Sequence, residues 1–103
     1  MAEKEVIYEI KDSIAYITLN RPEKLNAIDP PMRQQLWDSF QDVKNNPEVR
    51  CAIVTGAGRA FSTGHDLVAM AAGHANDGPS TGDLYVVQSQ IYKPIIAAIN
   101  GIC

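Results

Sequence analysis

The stretch Phe61-Ser62-Thr63-Gly64-His65-Asp66-Leu67 offers the most usable chemistry in the chain. A flexible glycine sits just ahead of an aspartate able to cap a helix, so backbone N–H groups there can point into space instead of into a ladder. Donors placed at a helix N-terminus can hold a developing negative oxygen. An ordinary loop-to-helix junction has the same pattern, and the residues alone leave both readings open.

Other chemistries find less support. Gly56-Ala57-Gly58 follows a strand-like run, as a dinucleotide fingerprint would. Phe61 stands where its last glycine belongs, however, and no helix follows at once, so a plain turn is the simpler reading. His65 and His74, with Asp66 and Asp77 nearby, do not share one helical face, and no Cys or His cluster completes a shell. Neither a metal nor a hydrolase elbow is expected.

The elements that must position these residues read as α/β. Val6 to Ile10 alternates, with Val6, Tyr8 and Ile10 on one face, and Lys11-Asp12-Ser13 is a polar turn. Ile14 to Leu19 resumes the alternation, predicting a hairpin. Arg21-Pro22-Glu23-Lys24 breaks the strand, since proline cannot donate to a ladder. Asp29 followed by Pro30 starts a helix, and Met32, Leu36, Phe40 and Val43 form its apolar stripe, widened by Trp37. Asn45-Asn46-Pro47 ends it.

Cys51 to Val54 predicts a short buried parallel strand, and Thr55 to Arg59 a glycine-rich turn. Asp66 is expected to cap a helix over Leu67 to Ala72 stopped by Gly73, and His74 to Gly82 to form a polar loop. Leu84, Val87 and Ile91 mark another helix halted at Lys93-Pro94. Ile95 to Ile99 reads as a strand buried on both faces, and strands alternating with helices imply crossovers. Because the sequence stops directly after that strand, at Gly101-Ile102-Cys103, it reads as an incomplete domain.

Composition narrows the class. With 103 residues and a hydrophobic fraction of 46%, this is one domain or a piece of one, with enough apolar content to fold. A net charge of -3, with basic residues scattered among acids, gives no footprint for nucleic acid. Cys51 and Cys103 sit in apolar surroundings and are expected to be buried free thiols in a reducing compartment. The acidic, polar N-terminus is no signal peptide, and no apolar run approaches the roughly 20 residues of a bilayer span. A cytoplasmic protein without a membrane partner is expected.

Three blocks carry a resemblance. Asn20-Arg21-Pro22-Glu23-Lys24-Leu25-Asn26-Ala27, Val49 to Leu67, and Lys93-Pro94-Ile95-Ile96-Ala97-Ala98-Ile99-Asn100-Gly101 resemble, in order and separation, the enoyl-CoA hydratase/isomerase family, the crotonases. The match covers nearly the whole chain but only the N-terminal part of a family member. It implies a partial ββα spiral, truncated before the second oxyanion turn, in a parent that assembles as a trimer or a hexamer. It implies an acyl-CoA substrate, with coenzyme A entering as part of it and no separate cofactor.

The resemblance also assigns roles. Lys24, Leu25 and Ala27 match the loop that contacts the adenosine end of coenzyme A, and Thr63, Gly64 and Asp66 match the turn lining the thioester. His65 matches the position whose backbone N–H is one of two donors to the thioester oxygen; the family often has alanine there. Simpler roles stay open: Asn26 satisfying turn backbone, Lys24 a solvated charge, the His65 imidazole a spacer or a base. Glu3, Glu5, Glu9, Glu23 and Glu48 match no catalytic position of the family and are expected in strands or exposed turns. The implied activity is hydration of a 2-enoyl-CoA by the parent, this chain alone being inactive. Isomerase, hydrolase and decarboxylase chemistry, or a non-catalytic binding module, are the alternatives.

Overall fold

The computed structural model describes residues 5–64 and 78–101. Strands β1 (Val6–Lys11) and β2 (Ile14–Leu19) form the expected hairpin, paired antiparallel with Lys11 opposite Ile14. Its loop is only Asp12-Ser13, both left-handed at φ 53° and 68°. Two positive φ values define the type I′ turn, whose twist matches that of the strands.

Helix α1 (Pro30–Asn45) begins where the sequence places it, with Asp29 accepting from the Met32 N–H at 3.0 Å. Met32, Leu36, Phe40 and Val43 are all buried, so the stripe is the core-facing side. Lys93 caps the far end, its ammonium donating to the carbonyls of Val43 and Asn46 at 2.6 and 2.8 Å. Those carbonyls are among the helix's last, which lack partners within the helix.

Strand β3 (Cys51–Gly56) runs two residues beyond the expected Val54, because parallel pairing with β2 continues to Leu19 opposite Gly56. Helix α2 (Thr81–Ser89) starts inside the expected loop. Ser80 and Asp83 form a reciprocal capping box there, which ends the loop at residue 80. Ile91 lies beyond the helix yet remains buried. The expected helix over Leu67 to Ala72 and its stop at Gly73 lie outside the described residues.

The four strands lie in the order β1-β2-β3-β4, with β4 (Ile95–Ala98) parallel to β3. Two burial expectations need correction. Among the described residues β4 is an edge strand with β3 as its only neighbour, and Ile96 is 52% exposed. In β3 only Ala52 is fully buried, and Cys51 is half-buried, because α1 packs against β1, β2 and α2 and leaves part of the sheet uncovered.

The core joins the inward residues of β2 (Ala15, Ile17, Leu19) to the α1 stripe and to Leu84 and Val87 of α2. One consequence of the parallel register matters for function. Leu19 aligns with Gly56, and Thr55 with Ala98, so the carboxyl ends of β2, β3 and β4 emerge along one edge. Parallel sheets place their ligands outside that edge.

Candidate active site

The first segment off that edge is the turn after β2. Pro22–Lys24 is one turn of 3₁₀ helix, closed by Leu25 in the left-handed region, and Asn26 follows at φ 56°. A left-handed non-glycine residue carries about 1–2 kcal/mol of local cost. At Asn26 the side chain offsets it. Fully buried, it accepts from the Arg21 N–H at 2.7 Å and donates to the carbonyls of Ala57 and Ala60 at 3.0 and 2.9 Å.

The second segment, after β3, docks on the first. The Ile28 N–H donates to Gly64 O at 2.6 Å, and the Thr63 N–H to Leu25 O at 3.2 Å. The Ser62 hydroxyl donates to Asn26 O at 2.9 Å and accepts from the Gly64 N–H at 3.1 Å. The third segment closes the back. Asn100 accepts from the Gly56 N–H at 3.0 Å and donates to Gly58 O at 3.0 Å and Ala60 O at 3.3 Å.

The two glycines of Gly56-Ala57-Gly58 have structural duties in this junction. A Cβ on Gly56 would overlap the carbonyls of Ala60 and Phe61, and Gly58 is left-handed at φ 81° against Pro22. The plain-turn reading therefore stands. Gly64 differs: at φ 94° it needs a glycine's backbone freedom, yet no atom of the described residues lies within 4 Å of where a Cβ would sit.

Beside Gly64 lies a cavity of about 400 Å³. Leu19, Ile28, Leu36, Phe40, Val54, Phe61 and Leu84 give it an apolar wall, with Ser62, Thr63 and Gly64 at one side and Tyr85 and Gln88 of α2 at another. Small-molecule sites have this size and this mix of apolar wall and few polar groups.

Among the expected site residues, Lys24 and Thr63 are exposed while Leu25, Ala27 and Gly64 are half-buried. The hydrogen bonds above bring the 24–27 loop and the 63–64 turn side by side. His65 and Asp66 lie outside the described residues, as do His74 and Asp77. Among the described residues no three His, Cys, Asp or Glu side chains gather at metal-binding range.

Electrostatics brace the turn from below. Arg21 donates to Ala27 O at 2.7 Å and pairs with Asp29 at 3.3 Å, with Glu5 at 4.0 Å. Glu5 was expected in a strand or an exposed turn. It is instead partly buried, with Oε2 enclosed and without a hydrogen bond among the described residues. Burial, and then its contact with the Asp29 carboxylate, raise its pKa to about 7 against the pull of Arg21. Glu5 does not line the cavity.

One motif corrects the sequence reading. Gly78-Pro79-Ser80-Thr81-Gly82 does carry the Gly-x-Ser-x-Gly spacing of a hydrolase elbow. Ser80 is occupied otherwise: its hydroxyl accepts from the Asp83 N–H at 3.0 Å as the cap of α2.

Comparison with known proteins decides the lineage. The sequence profile of the enoyl-CoA hydratase/isomerase family matches residues 9–103. The chain belongs to this family. Among its relatives, the (E)-benzylidenesuccinyl-CoA hydratase of Thauera aromatica is 38% identical over 93% of this chain and 39% of its own length. The 1,2-epoxyphenylacetyl-CoA isomerase of Escherichia coli is 30% identical, over 94% of this chain and 40% of its own. A solved enoyl-CoA hydratase/isomerase from Mycobacterium abscessus superposes with a TM-score of 0.84 at 35% identity, covering 97% of this chain and 39% of its own. An enoyl-CoA hydratase from Mycobacterium marinum gives 0.86 at 29%, covering 95% and 49%. The chain thus spans about two fifths of the length of the curated crotonases it matches.

Sequence reasoning about this crotonase-type chain missed what Ser62 and Arg21 do, and its open reading of Asn26 as satisfying turn backbone fits the bonds to Arg21, Ala57 and Ala60 without naming those partners. Their partners lie up to 36 positions away, as for Ser62 and Asn26, and nothing in the local pattern reports such a distance. The available signal was Asn26 itself: asparagine is the non-glycine residue best suited to a left-handed turn.

Proposed function

We propose that this chain forms the coenzyme A-binding loop and first oxyanion donor of an acyl-CoA enzyme, whose parent hydrates a 2-enoyl-CoA. The reading rests on one observation above others. A fully buried asparagine locks the 24–27 loop to the 62–64 turn at the mouth of an apolar cavity, along the carboxyl edge of parallel strands. Family membership supports the substrate class, since its relatives are named for CoA thioesters.

In this reading Lys24, Leu25 and Ala27 hold the adenosine end, while Thr63, Gly64 and Asp66 line the thioester. The N–H of His65 polarises the thioester oxygen as an enolate forms. A single such donor is worth about 10²–10³ in rate. Hydration further needs a carboxylate to activate water and one to deliver a proton to the α-carbon. Among the described residues no carboxylate lines the cavity. None of its glutamates matches a catalytic position of the family, so in this reading the chain alone binds acyl-CoA without hydrating it, and the parent, a trimer or hexamer, supplies the remaining groups. Coenzyme A comes with the substrate, and no other cofactor takes part. The protein works in the cytoplasm. Among the described residues no helix is long and apolar enough to cross a membrane.

The test pairs calorimetric binding of crotonyl-CoA with a hydration assay, on this chain and on a version extended to the length of its relatives. Binding by both, with turnover by the longer one alone, is expected. Absence of CoA-thioester binding by both defeats the proposal. Isomerase, hydrolase and decarboxylase activities are separated by assaying the longer protein against the matching thioesters.

A further inference from the structure

The 24–27 loop does not keep its shape unaided. Leu25 and Asn26 are both left-handed, at φ 52° and 56°, a conformation that L residues hold only where their surroundings enforce it. Arg21 supplies much of that enforcement. Its N–H donates to Asn26 Oδ1 at 2.7 Å, and its carbonyl accepts from the N–H groups of Lys24 at 2.9 Å and Asn26 at 2.8 Å. The guanidinium then closes the far end, donating from Nη1 to Ala27 O at 2.7 Å. One residue ties the loop's beginning to its end.

The guanidinium is itself anchored. Nη1 lies 3.3 Å from Oδ2 of Asp29, whose Oδ1 caps α1 by accepting from the Met32 N–H. The side chains of Arg21 and Asp29 are 12% and 13% exposed, so solvent screens this pair far less than a surface one. The loop is thereby registered against the start of α1, and Arg21 achieves this without lining the cavity beside Gly64. We infer that Arg21 is a positioning residue for the nucleotide end of a CoA thioester, its guanidinium holding Ala27 and the loop in their receiving shape before the ligand arrives. Without that tie the ligand must order the loop as it binds, and affinity falls by the cost of doing so. This rests on the acyl-CoA reading above, in which Lys24, Leu25 and Ala27 hold the adenosine end.

Calorimetric titration of this chain with crotonyl-CoA, adenosine 3′,5′-bisphosphate and S-crotonyl-pantetheine tests it, the last two standing for the two ends of the first. Arg21→Lys keeps the charge but replaces a planar fork with a shorter, freely rotating ammonium. It is expected to weaken crotonyl-CoA and the bisphosphate by a common factor of about tenfold, the cost of ordering roughly one backbone residue. S-crotonyl-pantetheine should bind as before. Asp29→Asn keeps a capping acceptor for α1 while removing the guanidinium's charge partner. It should weaken the same two ligands severalfold and spare the third, and it decides the matter if Arg21→Lys fails to fold by circular dichroism. A loss shared by S-crotonyl-pantetheine, or no loss at all, overturns the positioning role while leaving the acyl-CoA reading intact. Binding of S-crotonyl-pantetheine without the bisphosphate takes the nucleotide away from the 24–27 loop and overturns the inference, though the thioester reading survives. Failure of the unaltered chain to bind any of the three overturns both.

Discussion

The side-chain amide of Asn26 donates to the carbonyl of Ala60 at 2.9 Å, across 34 positions of sequence. Asn100 reaches the same carbonyl from the other side at 3.3 Å. One backbone oxygen thereby joins all three segments that leave the sheet's carboxyl edge.

Replacing Asn26 should expose the cost of that joint. Asn26→Ala loses three side-chain hydrogen bonds in a dry site and keeps a left-handed backbone. A loss of about 2–4 kcal/mol is expected in urea unfolding. Asn26→Gly loses the same bonds without the backbone cost and should be milder by about 1 kcal/mol. Equal losses would show that φ at this position is relaxed in solution.

Two glycines should respond in opposite ways to alanine. Gly56→Ala drives a Cβ into the Ala60 and Phe61 carbonyls and should unfold the chain at temperatures the parent sequence survives. Gly64→Ala meets no atom of the described residues within 4 Å and should bear the left-handed cost, about 1–2 kcal/mol. Its main effect should be weaker thioester binding, read by calorimetry beside a melting curve.

The hairpin turn offers a gain. Ser13 holds φ 68° in a type I′ turn, where glycine is favoured. Ser13→Gly should raise stability by about 0.5–1 kcal/mol in the same urea assay.

Stability should fall as pH rises from about 4.5 to about 7. Glu5 is easier to protonate in the folded state, where its pKa is about 7 instead of 4.5. Its contribution is complete below the unfolded value and disappears as pH passes the folded one. Glu5→Gln should flatten this slope and make the chain more stable than the parent sequence at pH 8. A slope unchanged by the substitution would assign the effect to another group.

The uncovered edge should associate. Ile96 and Ile99 are 52% and 58% exposed, and Tyr92 is 96% exposed. Light scattering should show concentration-dependent self-association, suppressed by Ile96→Lys, since charged side chains blunt open strand edges. A monomer at all concentrations would count against it.

Much of the fold was legible in the residues themselves. A cap, a proline and a four-residue stripe specify α1, and its bounds follow. Alternation with β-branched residues specifies the hairpin. Burial of β3 and β4 was not legible, because a run such as Ile95 to Ile99 shows apolar character without saying how many neighbours cover it. At the site, the family blocks point to Lys24 through Ala27 and to Thr63-Gly64. The joint between them depends on Asn26, Ser62 and Asn100, and only the tertiary register brings those together.

That register also fixes when the cleft can exist. Its walls come from residues near 20, 40, 60 and 85, so no hairpin or single crossover formed early in folding contains it. Any thioester that occupies it recognises only the finished domain, and acts as a brace on the whole folding equilibrium. At a hundredfold excess over its dissociation constant, such a ligand adds about 2.7 kcal/mol.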